Sequence, residues 1–92
     1  MPVGFIIEVP TGTQQQYDQA MTELNVPEHP IDGLISHTAG PMDGGGWRVI
    51  DVWESDEKFG AFGATRLGPA LQKVGMPEPK FTRFEVHNFL RG

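Results

Sequence analysis

Residues 47–59 read WRVIDVWESDEKF, and this stretch decides the fold. Its first eight residues are rich in β-branched and aromatic side chains, which predicts a strand over 47–54. Ser55 follows as a helix N-cap, and Asp56 and Glu57 place negative charge in the first turn, where the helix dipole favours it. We therefore expect a strand that runs directly into a capped helix.

Three further strands are predicted on either side of this stretch. Residues 40–46 form a glycine-rich turn (GPMDGGG), so the strands on either side of it are expected to pair as a hairpin. The other predicted strands are apolar runs bounded by proline, glycine or charged residues. They cover residues 3–9, 33–39 and 81–90.

Two helical regions separate the strands. Thr13 and Gln16 have the capping-box spacing, so a helix is expected to begin there. Its apolar side chains follow the i, i+3, i+4, i+7 pattern of one helix face: Tyr17, Ala20, Met21 and Leu24. In the second region Pro69 is expected to break the helix or to restart it, which gives segments 56–66 and 69–73.

The order β-α-β-β-α-β predicts an α+β fold of the ferredoxin-like type. Both helices then lie on one face of a four-stranded antiparallel sheet, in a single domain that spans residues 1–92. The third and fourth strands are apolar at positions of both parities, so both faces of the sheet are expected to be covered. Because a chain of 92 residues has a small core, a homodimer that packs sheet against sheet would cover the free face.

The composition excludes several classes of partner and site. Seven Lys and Arg stand against twelve Asp and Glu, and so acidic a chain is not expected to bind nucleic acid. The absence of cysteine excludes disulfides, thiolate metal sites and cysteine nucleophiles. The apolar run near the N-terminus is too short for a signal peptide or a membrane span, so we expect a cytoplasmic protein with no membrane partner.

Three polar residues in the predicted strands are candidate catalytic groups: His37, Asp51 and His87. A carboxylate beside an imidazole fixes the tautomer of the ring, and that pairing suits the removal of a proton from a phenol or an activated C–H bond. A structural alternative is that the histidines are half-buried and that Asp51 forms a salt bridge with Arg48 or Arg83. A metal site of two His and one carboxylate is a further alternative, and it would require three strands to converge.

The pairing register of the hairpin decides whether these groups meet. An even register places Ile35 and His37 on the face that holds Val49, Asp51 and Trp53, whereas a slip of one residue separates them.

Aromatic residues near this face are candidates for the wall of a substrate pocket, although large apolar side chains in so small a domain also form plain core. Arg66 could meet a substrate oxyanion, or it could interact with the helix dipole. The candidate pocket residues are Tyr17, Trp47, Trp53 and Phe62.

The element order, the sequence VWES at 52–55, the helix start DEKF at 56–59 and the aromatic final strand resemble the antibiotic biosynthesis monooxygenase-like, dimeric α+β barrel superfamily. The resemblance implies a homodimer and, in each protomer, a pocket for a small aromatic or polyketide-like substrate. Members include cofactor-independent monooxygenases, cyclases, isomerases and haem-degrading enzymes. The haem-degrading branch carries a Trp and an axial His on the second helix, and residues 56–74 contain neither, so haem degradation is not expected.

The function expected from residues and resemblance together is that of a cofactor-independent oxidoreductase. His37 or His87 would assist deprotonation of a phenol, Asp51 would orient that imidazole, and the anion would react with oxygen in a pocket walled by Trp53 and Phe62. Two alternatives stay open: a polyketide cyclase or isomerase that uses the same base, and a non-catalytic ligand-binding or stress-associated barrel.

Overall fold

The computed structural model describes residues 1–92. Four strands form one antiparallel sheet in the order β2-β3-β1-β4, so the predicted ferredoxin-like α+β fold is confirmed. The strands are β1 (Val3–Val9), β2 (Leu34–Pro41), β3 (Trp47–Trp53) and β4 (Lys80–Glu85). The prediction that the last strand continues to residue 90 is wrong beyond Glu85, because its partner Val3 is the first residue of β1 and the ladder ends there.

The helices begin where the capping residues predict. In α1 (Gln14–Leu24), the Thr13 hydroxyl accepts a hydrogen bond from the backbone N–H of Gln16. The side-chain oxygen of Gln16 accepts one from the backbone N–H of Thr13. In α2 (Asp56–Phe62), Ser55 Oγ accepts from the amide of Lys58 at 3.2 Å. The predicted capping box and the predicted N-cap are both confirmed.

The second helical region does not break at Pro69. A π-helical segment (Gly63–Leu67) connects α2 to α3 (Gly68–Lys73), and Pro69 lies in the first turn of α3. Proline has no amide hydrogen to donate to a carbonyl of the preceding turn. The hydrogen bonds of the π-helical segment just before it have a wider spacing, and the Gly68 amide donates to the Gly63 carbonyl. The helical path therefore stays continuous along one side of the sheet.

The core lies between the sheet and the helices. Trp53 has no exposed surface, and the Phe5 and Phe59 rings stack with centroids 3.9 Å apart. Alternate residues of β1 point to this side and are buried, as the period of two requires. They are Val3, Phe5, Ile7 and Val9.

The opposite face of the sheet, here called the outer face, carries no helix. Ile50 is 41% exposed and Phe84 is 42% exposed on it, and the Phe84 ring lies so close to Gly4 that a side chain at that position would collide with it. None of the helices has the length and hydrophobicity that crossing a membrane requires.

Candidate functional site

The hairpin register brings His37 and Asp51 together. His37 pairs directly with Asp51 across β2 and β3, in the even register. A bulge just after Leu34 shifts the pairing, so that Leu34 lies opposite Trp53. Ile35 is then 37% exposed and lies outside the cavity, so the prediction that it shares the face of His37 is wrong.

Four side chains form a continuous hydrogen-bonded chain from α1 into the core. The Tyr17 hydroxyl lies 2.6 Å from His37 Nε2, and His37 Nδ1 lies 2.6 Å from Asp51 Oδ1. The Trp53 indole N–H donates to the other carboxylate oxygen, Oδ2, at 3.2 Å. Because an ionised carboxylate only accepts hydrogen bonds, the proton of neutral His37 lies on Nδ1 and Nε2 accepts from the Tyr17 hydroxyl.

Burial sets the electrostatics of this chain. Asp51 is 5% exposed, and its carboxylate is held by two N–H donors rather than by a cation. Burial raises the pKa of Tyr17 above 10.0, and the negative charges of Asp51 and Asp18 raise it further. The phenol therefore keeps its proton at neutral pH and remains the donor to His37.

The chain of hydrogen bonds lies beside a cavity of about 80 Å³ between the sheet and the helices. His37, Tyr17 and Asp51 are the polar groups of a lining that is otherwise apolar. The remaining lining residues are Ile7, Val9, Ala20, Met21, Leu24, Ile31, Leu34, Trp47, Val49, Trp53, Phe62, Leu67, Leu71, Met76 and Pro79.

Four of the five predicted pocket residues border this cavity: Tyr17, Trp47, Trp53 and Phe62. The Trp53 and Phe62 rings lie 5.3 Å apart, and the Tyr17 and Trp47 rings lie 5.2 Å apart. The four aromatic residues thus form two pairs of neighbouring rings in the lining, which also holds His37 and Asp51.

Arg66 lies outside the cavity and is already engaged. Its guanidinium donates to three backbone carbonyls, those of Leu24 at 2.8 Å, His29 at 2.7 Å and Pro30 at 3.1 Å. The arginine thereby ties the π-helical segment to the loop after α1. This arrangement corrects the expectation that Arg66 faces a substrate oxyanion.

His87 also lies apart from the site. It sits in a bend beyond the end of β4 and is exposed, so the expectation that it joins His37 and Asp51 from the fourth strand is wrong. The two-histidine metal arrangement fails for the same reason, and no group of three or more His, Cys, Asp or Glu side chains is placed to hold a metal ion.

The alternative salt bridges to Asp51 do not form. Arg48 pairs with Glu8 at 2.7 Å, and Arg83 pairs with Asp56 at 2.8 Å. The carboxylate of Asp51 therefore accepts hydrogen bonds from His37 and Trp53 and forms no ion pair with either arginine.

Sequence reasoning missed the bond between Tyr17 and His37. The apolar stripe of α1 shows that Tyr17 faces the sheet, but which strand it reaches depends on how the helix crosses that sheet. The linker residues Met76 and Pro79 were also missed, because a connector without periodicity carries no signal for the surface it covers.

No protein-family model matches the chain, and no curated protein matches it in sequence. Solved structures do match it. SnoaB from Streptomyces nogalater, a cofactor-independent oxygenase, is 14% identical, with a TM-score of 0.71 over 99% of this chain and 98% of that one. A proposed antibiotic biosynthesis monooxygenase from Chloroflexus aurantiacus is 13% identical, with a TM-score of 0.71 over the same shares of the two chains.

A dimeric ferredoxin-like protein of unknown function from Thermobifida fusca is 16% identical, with a TM-score of 0.66 over 94% of this chain and 92% of that one. Identities this low establish the fold alone. At the level of the fold, the resemblance stated from the sequence is confirmed.

Proposed function

We propose that this chain, whose fold is that of the antibiotic biosynthesis monooxygenase-like proteins, is a cofactor-independent enzyme that acts on a phenolic or enolic aromatic substrate. The observation that carries the proposal is the Tyr17–His37–Asp51 chain at the polar side of an otherwise apolar cavity. An apolar wall with a few convergent polar groups is the usual form of a small-molecule site.

The first step is removal of a proton from the substrate. The Tyr17 hydroxyl occupies the accepting nitrogen of His37, so the substrate hydroxyl meets Tyr17 rather than the imidazole. The substrate passes its proton to Tyr17 Oη while Tyr17 passes its own proton to His37 Nε2. The imidazolium that results lies against the Asp51 carboxylate, which stabilises the positive charge.

In the oxygenase reaction, the substrate anion then reacts with molecular oxygen. The substrate as a whole loses two hydrogens and one of its carbons gains one oxygen atom, while the second oxygen atom of O₂ leaves with those two hydrogens as water. In a cyclase or isomerase, the same base generates an enolate and no oxygen is consumed. Both reactions use the same three residues, so the requirement for oxygen distinguishes them.

A ring-containing substrate has to widen the cavity. An engineered cavity of roughly 150 Å³ accepts benzene, and the present cavity has about half that volume. The helical side of the wall includes Phe62, Leu67 and Met76, which belong to the end of α2, the π-helical segment and the connector before β4. Met76 is adaptable because its side chain is unbranched, and we expect this side to move outward.

We also propose that two copies of the chain associate through the outer face. The exposed Ile50 and Phe84 form an apolar surface that no helix covers. The dimeric relative from Thermobifida fusca has the same fold. A second sheet on this face would remove both side chains from water.

The test is a turnover assay, monitored by mass spectrometry, on single-ring phenols, dihydroxynaphthalenes and anthrones, in air and without oxygen. Added oxygen in the product only in air supports the oxygenase, and conversion under both conditions supports a cyclase or isomerase. Conversion under neither condition contradicts the proposal and indicates a binding protein. His37→Gln should lower kcat by about 10²- to 10⁴-fold, while the matched control His29→Gln, on an exposed loop residue, should leave it unchanged.

A further inference from the structure

The glycine-rich turn between β2 and β3 contains an aspartate followed by a glycine, a pair that the proposed function does not use. Asp43 and Gly44 are both exposed, and the Asp43 carboxylate takes part in no ion pair. The Gly44 N–H donates to no backbone carbonyl, and a side chain built at Gly44 or Gly45 would meet no atom within 4 Å. The carboxyl group and the amide that follows it are therefore free to approach each other.

This arrangement permits a reaction that consumes no other molecule than water. The Gly44 nitrogen attacks the side-chain carboxyl carbon of Asp43 and closes a succinimide ring, while one carboxyl oxygen leaves as water with the amide hydrogen and the carboxyl proton. Glycine hinders this attack least because it has no side chain. Water then reopens the ring, and opening at the main-chain carbonyl gives isoaspartate. The main chain then runs through the former side chain and is one carbon longer.

A second Asp-Gly pair in the chain is held in place. The Asp32 carboxylate forms an ion pair with Lys58. Gly33 is buried, its carbonyl accepts from the Glu54 N–H at 2.8 Å, and a side chain at Gly33 would lie 2.5 Å from Lys58 Cβ. The Gly33 nitrogen therefore meets the Asp32 carboxyl carbon only after this segment opens. Local opening costs more free energy in a packed segment than at an exposed turn.

We propose that Asp43 is a site of spontaneous isoaspartate formation in the folded protein, and that packing around Asp32 protects that residue from the same reaction. Both sites contain the same two reacting residues, so the difference between them comes from the structure and not from the local sequence. The inference does not depend on the proposed function.

The modification lies in the turn that closes the β2–β3 hairpin. β2 has no sheet partner other than β3, so this hairpin alone places His37 opposite Asp51. The Gly45 N–H donates to the Met42 carbonyl at 3.1 Å across the reacting bond, and the added carbon should break this hydrogen bond. Four ladder pairs lie between the turn and the pair of His37 with Asp51, so the candidate site should keep its geometry.

The first measurement uses the unmodified chain, held at neutral pH and physiological temperature and sampled over weeks. Digestion after arginine gives residues 1–48 as one peptide that contains both Asp-Gly pairs, because Arg48 is the first Lys or Arg of the sequence. Electron-transfer fragmentation measures isoaspartate at each position. It should accumulate at least about tenfold faster at Asp43 than at Asp32, and in urea-denatured protein the two rates should agree within about twofold. Equal rates in the folded protein, or a faster rate at Asp32, would overturn the proposal.

Two variants separate the chemistry from its structural cause. Asp43→Glu keeps the charge but cannot close a five-membered ring with Gly44, so isomerisation at this position should be lost, and product there would overturn the assignment. Lys58→Met removes the ion pair of Asp32 and keeps a side chain of similar length over Gly33. It should raise the rate at Asp32 by about two- to fivefold, the fold-change that corresponds to an exposed ion pair. No change at Asp32 would overturn the protection assigned to Lys58.

The same aged sample shows whether the effect stays in the turn. The pKa of Tyr17, which reports on the hydrogen bond to His37, should be the same in aged and fresh protein. A Tyr17 midpoint that shifts as isoaspartate accumulates would overturn the inference that the site keeps its geometry.

Discussion

Replacing Asp51 with Asn tests the hydrogen-bonded chain at its buried end. The carboxylate accepts from His37 Nδ1 at 2.6 Å and from Trp53 Nε1 at 3.2 Å, and both partners are donors. An amide has one oxygen that accepts and one NH₂ that donates, so it satisfies only one of the two donors. If its NH₂ faces the imidazole, His37 must take the other tautomer, with the proton on Nε2 and no lone pair left for Tyr17.

The size of the effect follows from those two bonds. A hydrogen bond to a charged acceptor contributes about 1.5–3 kcal/mol, and a neutral one about 0.5–1.5 kcal/mol. Asp51→Asn loses one charged bond and weakens the other, while removing the cost of burying a charge. We expect a net loss of about 1–3 kcal/mol, which lowers Tm by roughly 5–20 °C in a domain of this size. In the proposed reaction, kcat should fall by at least about 10²-fold when the amide NH₂ faces His37 and changes its tautomer.

Two assays check this reasoning without a known substrate. Urea denaturation measures the stability loss, and Asp43→Asn is the matched control, because it removes the same charge at an exposed turn. Absorbance of the tyrosinate measures the pKa of Tyr17, the chain's only tyrosine. The pKa should fall when the Asp51 charge is removed but stay above 10.0, because burial is its largest cause. An unchanged Tyr17 midpoint together with a stability loss no larger than that of the control would refute the buried network.

Three other perturbations have outcomes set by single features. The pKa of Tyr17 is higher in the folded than in the unfolded chain, so the stability that Tyr17 contributes should be constant below about pH 10 and be lost as pH rises through the folded pKa. Urea titrations should show a fall in stability over this range, and the fall should be smaller in Tyr17→Phe. Arg66→Met removes three hydrogen bonds to backbone carbonyls and should lower the free energy of unfolding by about 1–3 kcal/mol. Arg91→Met, at an exposed position, should lower it by about 0.5 kcal/mol or less, and equal losses in thermal unfolding would contradict a stabilising role of the Arg66 bonds. Ile50→Asp on the outer face should convert a dimer to a monomer in sedimentation equilibrium while Gln15→Asp should not, and a wild-type chain that is already monomeric would overturn the proposed association.

Local signals in the sequence determined the elements and their order. The capping box at Thr13, the N-cap at Ser55 and the strand after residue 46 all act within one turn or one strand, so the residues that specify them are neighbours in the chain. The ferredoxin-like topology then follows, because few arrangements of β-α-β-β-α-β satisfy short connections and right-handed crossovers. His37 and Asp51 could be nominated on the same basis, as polar residues in apolar strands.

Tertiary structure alone decided which of the nominated residues meet. The hairpin register could not be read from its glycine-rich turn, and the bulge after Leu34 left no local signature. The bond from Tyr17 to His37 joins side chains 20 positions apart, and it depends on the angle at which α1 crosses the sheet. Tertiary structure also excluded two nominated residues from the site. His87 lies beyond the end of β4, and the Arg66 guanidinium donates to carbonyls of the loop after α1. The sequence could therefore specify the elements and their candidate residues, but the contacts that make a site depend on packing between segments far apart in the chain.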